Sequence, residues 1–528
     1  MQTQFDFAGS TYQREALRFG LIGDSAPNID LSSYLMQFHA GKAKFTAGHV
    51  AYNSNRHLVN NFSSRGLMLN LPVTSRGEFT LAGMNGTSIV GWDNFFGLSR
   101  RNHSMVAGSL GFELIPARPG ALRIESGVLT GSLLPLSSYS QGNVNDAERS
   151  KGLSLRVLAS DPTQRLQVEG GFARSRFHNP FDPLLSPDGG GVAVRETSRN
   201  ARYLEAGYSI LRNAGFGGDR TADLRLNYRH EQVDPLYRTV AAYVQPNRFQ
   251  NQVELVATVA GVSATASYLR FNDNLDNLPS ILKSLTRRTN VVVGAPLLSL
   301  IGGQPQRAAW LPRVSYTFDR THQFGAFIPT NSGFNPSGNQ VPDQIGTNQG
   351  AVAEWQSGRF RYGYRFNHSA QNNFGGNREA AKLNNIVHGG TFGLSLASLD
   401  VNLDVNAESL NSLDNNANKD RDRTDRTTRF AMNLNWRMTR SAVLAVNLSN
   451  TSLSSFGDLS LRNDGRNTEF DVQWSWRFGI ERSRMKKVQG QFFVRYANRY
   501  ARSTSELYLF NNVLKSQTLN TGLSFTFF

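Results

Sequence analysis

Residues 470–480 read FDVQWSWRFGI, and their order decides the fold. Phe470, Val472, Trp474, Trp476, Phe478 and Ile480 form one apolar row, while Asp471, Gln473, Ser475 and Arg477 fill the alternate positions. Because successive side chains of a strand point to opposite faces, this is a strand with one greasy and one polar side. After a short turn the pattern restarts, with Val488, Gly490, Phe492, Val494 and Tyr496 against Gln489, Gln491, Arg495 and Arg499. A third segment sets Leu519, Thr521, Leu523, Phe525 and Phe527 against Asn520, Gly522, Ser524 and Thr526, and ends on Phe528. Soluble sandwiches alternate too, but with strands of roughly 5–6 residues; a tilted strand crossing a bilayer needs roughly 9–11. These segments have the greater length.

A terminal amphipathic strand that closes on Phe resembles the last strand of bacterial outer-membrane β-barrels. That resemblance implies an outer-membrane location, surrounding lipid, and Phe528 as the signal read by the barrel-assembly machinery. It covers architecture and names no particular protein.

Composition agrees with such a class. No run of 18 apolar residues occurs and the mean hydropathy is −0.39, which excludes a helical membrane protein and leaves a barrel open, since alternation hides its apolar half. The chain has no cysteine, so disulfides, thiolate metal sites and cysteine nucleophiles are excluded together. Its net charge of +16 raises nucleic acid as a partner, but the arginines recur at strand period instead of forming a patch. The opening MQTQFDF lacks a basic segment followed by an apolar core, as expected if a leader has been removed or the chain is a fragment.

Taken in order, the chain reads as hairpins. A first strand is expected at 12–22, hairpins at 34–52 and 66–83, and sustained alternation from Met105 onward. Short turns at one end, such as 356–359, 397–398 and 438–441, alternate with long polar connections at the other, such as 320–346, 411–425 and 456–466. That is the pattern of short periplasmic turns and long external loops. The expected fold is therefore all-β: a single antiparallel up-and-down transmembrane barrel of about 24 strands (22–26), forming one domain over 1–528. Residues 86–103 lose the period and read as a loop, folded inward or external and packed on aromatics. Residues 274–288 place Leu275, Leu278, Ile281, Leu282 and Leu285 at helical spacing and predict a short helix.

If the apolar rows face lipid, the other row lines a lumen. Arg156, Arg225, Arg229, Arg313, Arg359, Arg361, Arg365, Arg429, Arg437, Arg477, Arg495 and Arg499 fall on that phase, with Asp400, Asp404 and Glu408 as an acidic counter-row. An arginine facing hydrocarbon at midplane costs about 2–4 kcal/mol, which constrains the phase. Two roles fit: a fixed positive field that selects anions, or Arg–carboxylate ladders that brace the sheet. Trp436, Trp474, Trp476, Phe478, Phe492, Phe525 and Phe527 read as lipid-facing or interfacial; stacking platforms for sugars are the sharper alternative for tryptophans and tyrosines on that phase.

No nucleophile elbow, H-E-x-x-H or phosphate loop occurs, so no catalytic, metal or cofactor residue is expected, and an enzyme of the outer-membrane hydrolase kind is the remote alternative. The leading reading is a porin-like or exporter-like channel for anionic solutes or polymers, its wide lumen occupied by an inward loop or a lumen-filling or periplasmic partner protein. A structural sheath around another protein is the second reading, and a soluble all-β surface protein the third.

Overall fold

The computed structural model describes residues 2–9, 29–86, 94–99, 103–133, 148–179, 194–215, 220–278, 281–297, 311–327, 343–373, 381–415, 423–457, 462–483, 486–506 and 510–527. Their named elements are 24 strands of one sheet. The first ten are β1 (Gln2–Gly9), β2 (Ile29–Ala40), β3 (Ala43–Tyr52), β4 (Phe62–Pro72), β5 (Gly77–Asn85), β6 (Ser104–Glu113), β7 (Leu122–Leu133), β8 (Glu148–Ser160), β9 (Leu166–Asn179) and β10 (Val194–Gly215). Then follow β11 (Thr221–Val233), β12 (Arg248–Val259), β13 (Val262–Asn272), β14 (Lys283–Pro296), β15 (Arg313–Phe327), β16 (Asp343–Ser357) and β17 (Phe360–Asn373). The last are β18 (Ala381–Leu396), β19 (Val401–Asn415), β20 (Arg423–Arg437), β21 (Ala442–Gly457), β22 (Asn463–Ser483), β23 (Lys486–Ser505) and β24 (Phe510–Phe527). Each strand from β1 to β9, and again from β15 to β23, pairs antiparallel with its successor, so the chain runs up and down as its turn pattern predicts.

Contacts gather into two compact units. The first comprises Met1–Ile210, Arg225–Val253 and Arg270–Lys283; the second comprises Leu211–Leu224, Glu254–Leu269 and Ser284–Phe528.

The tight turns form where local chemistry permits a reversal. Between β12 and β13, Ala260 and Gly261 both take positive φ (51° and 84°), the two-residue geometry whose twist matches the flanking strands. Gly358 does the same between β16 and β17 at φ 56°.

Among the described residues of 274–288 the predicted short helix is not formed. Asn274 and Asn277 adopt φ of 45° and 49°, which interrupts a helical path, and β14 begins at Lys283. The Asn274 side chain holds the turn, donating to the carbonyls of Leu278 and Ile281 and accepting from the Leu278 amide. Leu285 belongs to β14 and is buried there. The connections expected at 320–346, 411–425 and 456–466 are also shorter, because strands run on to Phe327, Asn415 and Gly457. At about 3.3 Å per residue, β22 with its 21 residues is far longer than a bilayer crossing requires. The strand expected at 12–22 and the terminal Phe528 lie outside the described residues.

Candidate functional site

The two faces of the sheet are separated in register. On one face, Val401, Trp436, Leu444, Trp474 and Val494 stand side by side across β19–β23, and the next row runs Ala442, Trp476, Phe492 and Leu523. Trp474 meets Phe492 edge-on at 6.1 Å, and Trp476 lies 5.2 Å from Phe478. Trp436, Trp476 and Leu523 remain exposed; in the first unit Leu110, Val128 and Leu153, which share one face of β6, β7 and β8, are exposed as well. Gly490 and Val488 set Phe525 and Phe527 in register on that phase of β24.

The opposite face carries ion pairs. In the second unit, Arg361 reaches Asp404 at 2.6 Å, Arg365 reaches Glu408, Arg429 reaches Glu408 at 3.6 Å and Arg437 reaches Asp400 at 3.2 Å. Arg495 pairs with Asp471 at 2.6 Å and Arg499 with Glu469 at 2.8 Å. A glycine lies between partners two strands apart: Gly393 sits between Arg361 and Asp404, and Gly389 between Arg365 and Glu408. A Cβ at Gly393 would lie 2.9 Å from Asp404 Oδ1 and 3.1 Å from Arg361 Nε, so the missing side chain is what lets arginine cross the middle strand. Arg313, Arg359 and Arg477 have no carboxylate partner among the described residues.

In the first unit one face forms a continuous chain of charge. Arg123 of β7 contacts Glu78, Glu113 and Glu125; Arg156 of β8 bridges Glu125 at 3.1 Å and Glu169 at 3.0 Å; Arg229 of β11 contacts Glu205 and Glu231. Arg225 instead donates to Gln167 and Asn227, both at 2.9 Å. The missing link comes from residues 53–61, the connection between β3 and β4. Arg56 joins Glu205 at 2.5 Å and Glu169 at 3.6 Å, with its guanidinium 3.9 Å above the Tyr203 ring. His57, only 2% exposed, meets Glu231 at 2.7 Å. Burial alone would lower the Arg56 pKa, and the Glu205 carboxylate more than reverses it, so Arg56 stays charged.

A second connection, residues 234–247, holds this loop down. The Tyr237 hydroxyl donates to the His57 carbonyl at 2.6 Å, Thr239 Oγ1 donates to the Leu58 carbonyl at 3.1 Å, and Asn60 N donates to the Ala241 carbonyl. Burial pushes the Tyr237 phenol above its usual range. Leu58 and Val59 drop into an apolar core with Val50, Met84, Met105, Leu129 and Phe177. Gly152 admits Leu58, whose Cδ1 would be 2.4 Å from a Cβ there. Beside the docked loop lies a cavity of about 160 Å³ lined by Ser54, Thr80, Ser109, Glu125, Ser154 and Arg156. It is polar and roomy enough for water.

Residues 94–99 lie against the apolar face instead. Phe95 stacks on Tyr34 at 4.3 Å, Arg65 donates to the Asn94 carbonyl, and Leu98 covers Gly83. The loop that turns onto the charged face is therefore 53–61, whose sequence NSNRHLVNN carries no periodic signal. Its one legible hint is an Arg-His pair ahead of two apolar residues. Among the described residues no cluster of metal-ligating side chains occurs. No family model matches the chain, and no curated sequence matches it.

Proposed function

We propose that the chain spans a bacterial outer membrane as a closed β-barrel, and that its charged face lines an aqueous channel for anionic solutes narrowed by residues 53–61 and 234–247. The observation that carries this reading is the separation of faces across β19–β23: exposed Trp, Phe and Leu rows on one side and ion-paired arginines and carboxylates on the other, with further cations such as Arg466 and Arg502 on the apolar phase toward the strand ends. An apolar surface of that extent is stable only against lipid or another apolar surface. The carboxylates brace most of the arginines, so anion preference rests on Arg225, Arg313, Arg359 and Arg477, which have no carboxylate partner among the described residues, and on arginines more exposed than their partners. The chemistry asked of these groups is electrostatic guidance, not catalysis. Planar-bilayer recording under a salt gradient tests it. The expected result is discrete conductance with a reversal potential of anionic sign; cation preference would reduce the arginines to bracing, and recovery of the protein in the aqueous phase without detergent would remove the barrel.

A further inference from the structure

On three adjacent strands of the first unit, exposed cations stand on the phase that carries apolar side chains further along the same strands. On β8, Arg149 and Lys151 share the phase of Leu153 and Leu155; on β9, Arg174 and Arg176 share that of Phe172; on β10, Arg202 shares that of Leu204 and Tyr208. Register sets Lys151 directly opposite Arg176, Leu153 opposite Arg174, and Phe172 opposite Arg202. All five cations are exposed. Like charges directly opposite destabilise a strand pair, yet among the described residues one carboxylate answers them here: Glu196, 2.5 Å from Arg176. Arg174 donates to Ser198 and Arg202 to Gln232, neutral acceptors that leave the charge in place. Leu153, Leu155, Phe172, Leu204 and Tyr208 continue the same face as an exposed apolar strip.

We propose that Arg149, Lys151, Arg174, Arg176 and Arg202 bind the phosphate of a lipid headgroup whose acyl chains lie along that strip. The proposal rests on the membrane reading above. Two features favour a lipid over a soluble anion. The cations stand on an open sheet face and not in a cavity, and they border apolar surface that a free phosphate would not cover. Phosphate suits the donors, since several guanidinium and ammonium groups can share its oxygens.

The test titrates the detergent-embedded protein with phosphatidic acid, read by native mass spectrometry, with phosphatidylcholine as reference and inorganic phosphate as competitor. Wild type should retain phosphatidic acid in preference to phosphatidylcholine. The triple variant Lys151→Gln, Arg174→Gln, Arg176→Gln should lose affinity on the order of a hundredfold, as three charges at an anionic lipid surface imply. Equal retention by the triple variant overturns the site, and so does displacement of the lipid by inorganic phosphate at equal concentration. Flotation with phosphatidylcholine vesicles is scored separately. A wild type that fails to float sinks the membrane reading itself, whereas a triple variant that floats like wild type but no longer prefers phosphatidic acid localises the effect to the headgroup.

Discussion

The two units treat the same kind of ion pair differently. In the first, Arg56 and Glu169 are each 25% exposed and sit beneath a docked loop; in the second, Arg361 and Asp404 are 68% and 45% exposed and border open space. Half-buried pairs in a connected chain are screened little by salt and lose much when one partner is removed, because the other charge is left stranded. Exposed pairs contribute about 0–1 kcal/mol each. The first unit is thus built to hold residues 53–61 in place. The second keeps its charges available to solvent.

Removing the loop should break this difference most visibly. Replacing residues 54–60 by a short Gly-Ser turn removes Arg56, His57 and Leu58 from the charged face. Single-channel conductance is expected to rise several-fold, in rough proportion to the section cleared, while strand content by circular dichroism stays unchanged. Unchanged conductance would mean that the loop does not narrow the path.

The next effect concerns the apolar face. Trp474→Arg should impair assembly by about 2–4 kcal/mol if the site lies near midplane, and Ser475→Arg should be tolerated, since Ser475 points to the charged side. Refolding yield into lipid vesicles measures both. Equal yields would overturn the assignment of faces.

Packing under the loop gives a smaller effect. Gly171 faces Tyr203, whose Cε1 would lie 2.1 Å from an added Cβ, whereas nothing lies within 4 Å of the same atom at Gly390 in the second unit. Gly171→Ala displaces the ring on which Arg56 rests, at about 1–3 kcal/mol, and Gly390→Ala should cost little. Urea unfolding of the two variants compares the units directly.

Much of this was legible in the chain. The phases of Trp474, Trp476 and Arg495 follow from alternation alone, because a period of two leaves no freedom once one face is apolar. The placement of residues 53–61 was not legible, since it depends on glycines at 152 and 171 and on carboxylates 169, 205 and 231, all remote in sequence. Residues 274–288 misled for the opposite reason: leucines at helical spacing are a local signal, and two asparagines in the left-handed region override it.

Tyr237 supplies a pH dependence. Its folded pKa is raised by burial, so its contribution to loop docking is fully present below the unfolded value of about 10 and is lost as pH rises through the folded one. The loop should loosen at strongly alkaline pH, seen as a conductance increase. Tyr237→Phe removes the hydrogen bond to the His57 carbonyl, at about 0.5–1.5 kcal/mol, and should abolish the alkaline step.

The smallest expected effect tests the second unit's charges. Replacing Arg361, Arg365, Arg477 and Arg495 by Gln keeps a polar side chain with an N–H donor but shortens it and removes four charges. Three of these have carboxylate partners, Asp404, Glu408 and Asp471, which the change leaves uncompensated. Arg477 has none among the described residues, so Arg477→Gln alone removes a surplus cation without stranding a described carboxylate. Reversal potential under a salt gradient should move toward cation preference in the quadruple variant by more than in Arg477→Gln, and both shifts should shrink as salt rises, because exposed charges are screened over about 10 Å at 0.1 M. A shift that persists at high salt would place these arginines in the narrowest part of the path; no shift in either variant would leave Arg361, Arg365 and Arg495 as braces, with selectivity set by the loop of the first unit.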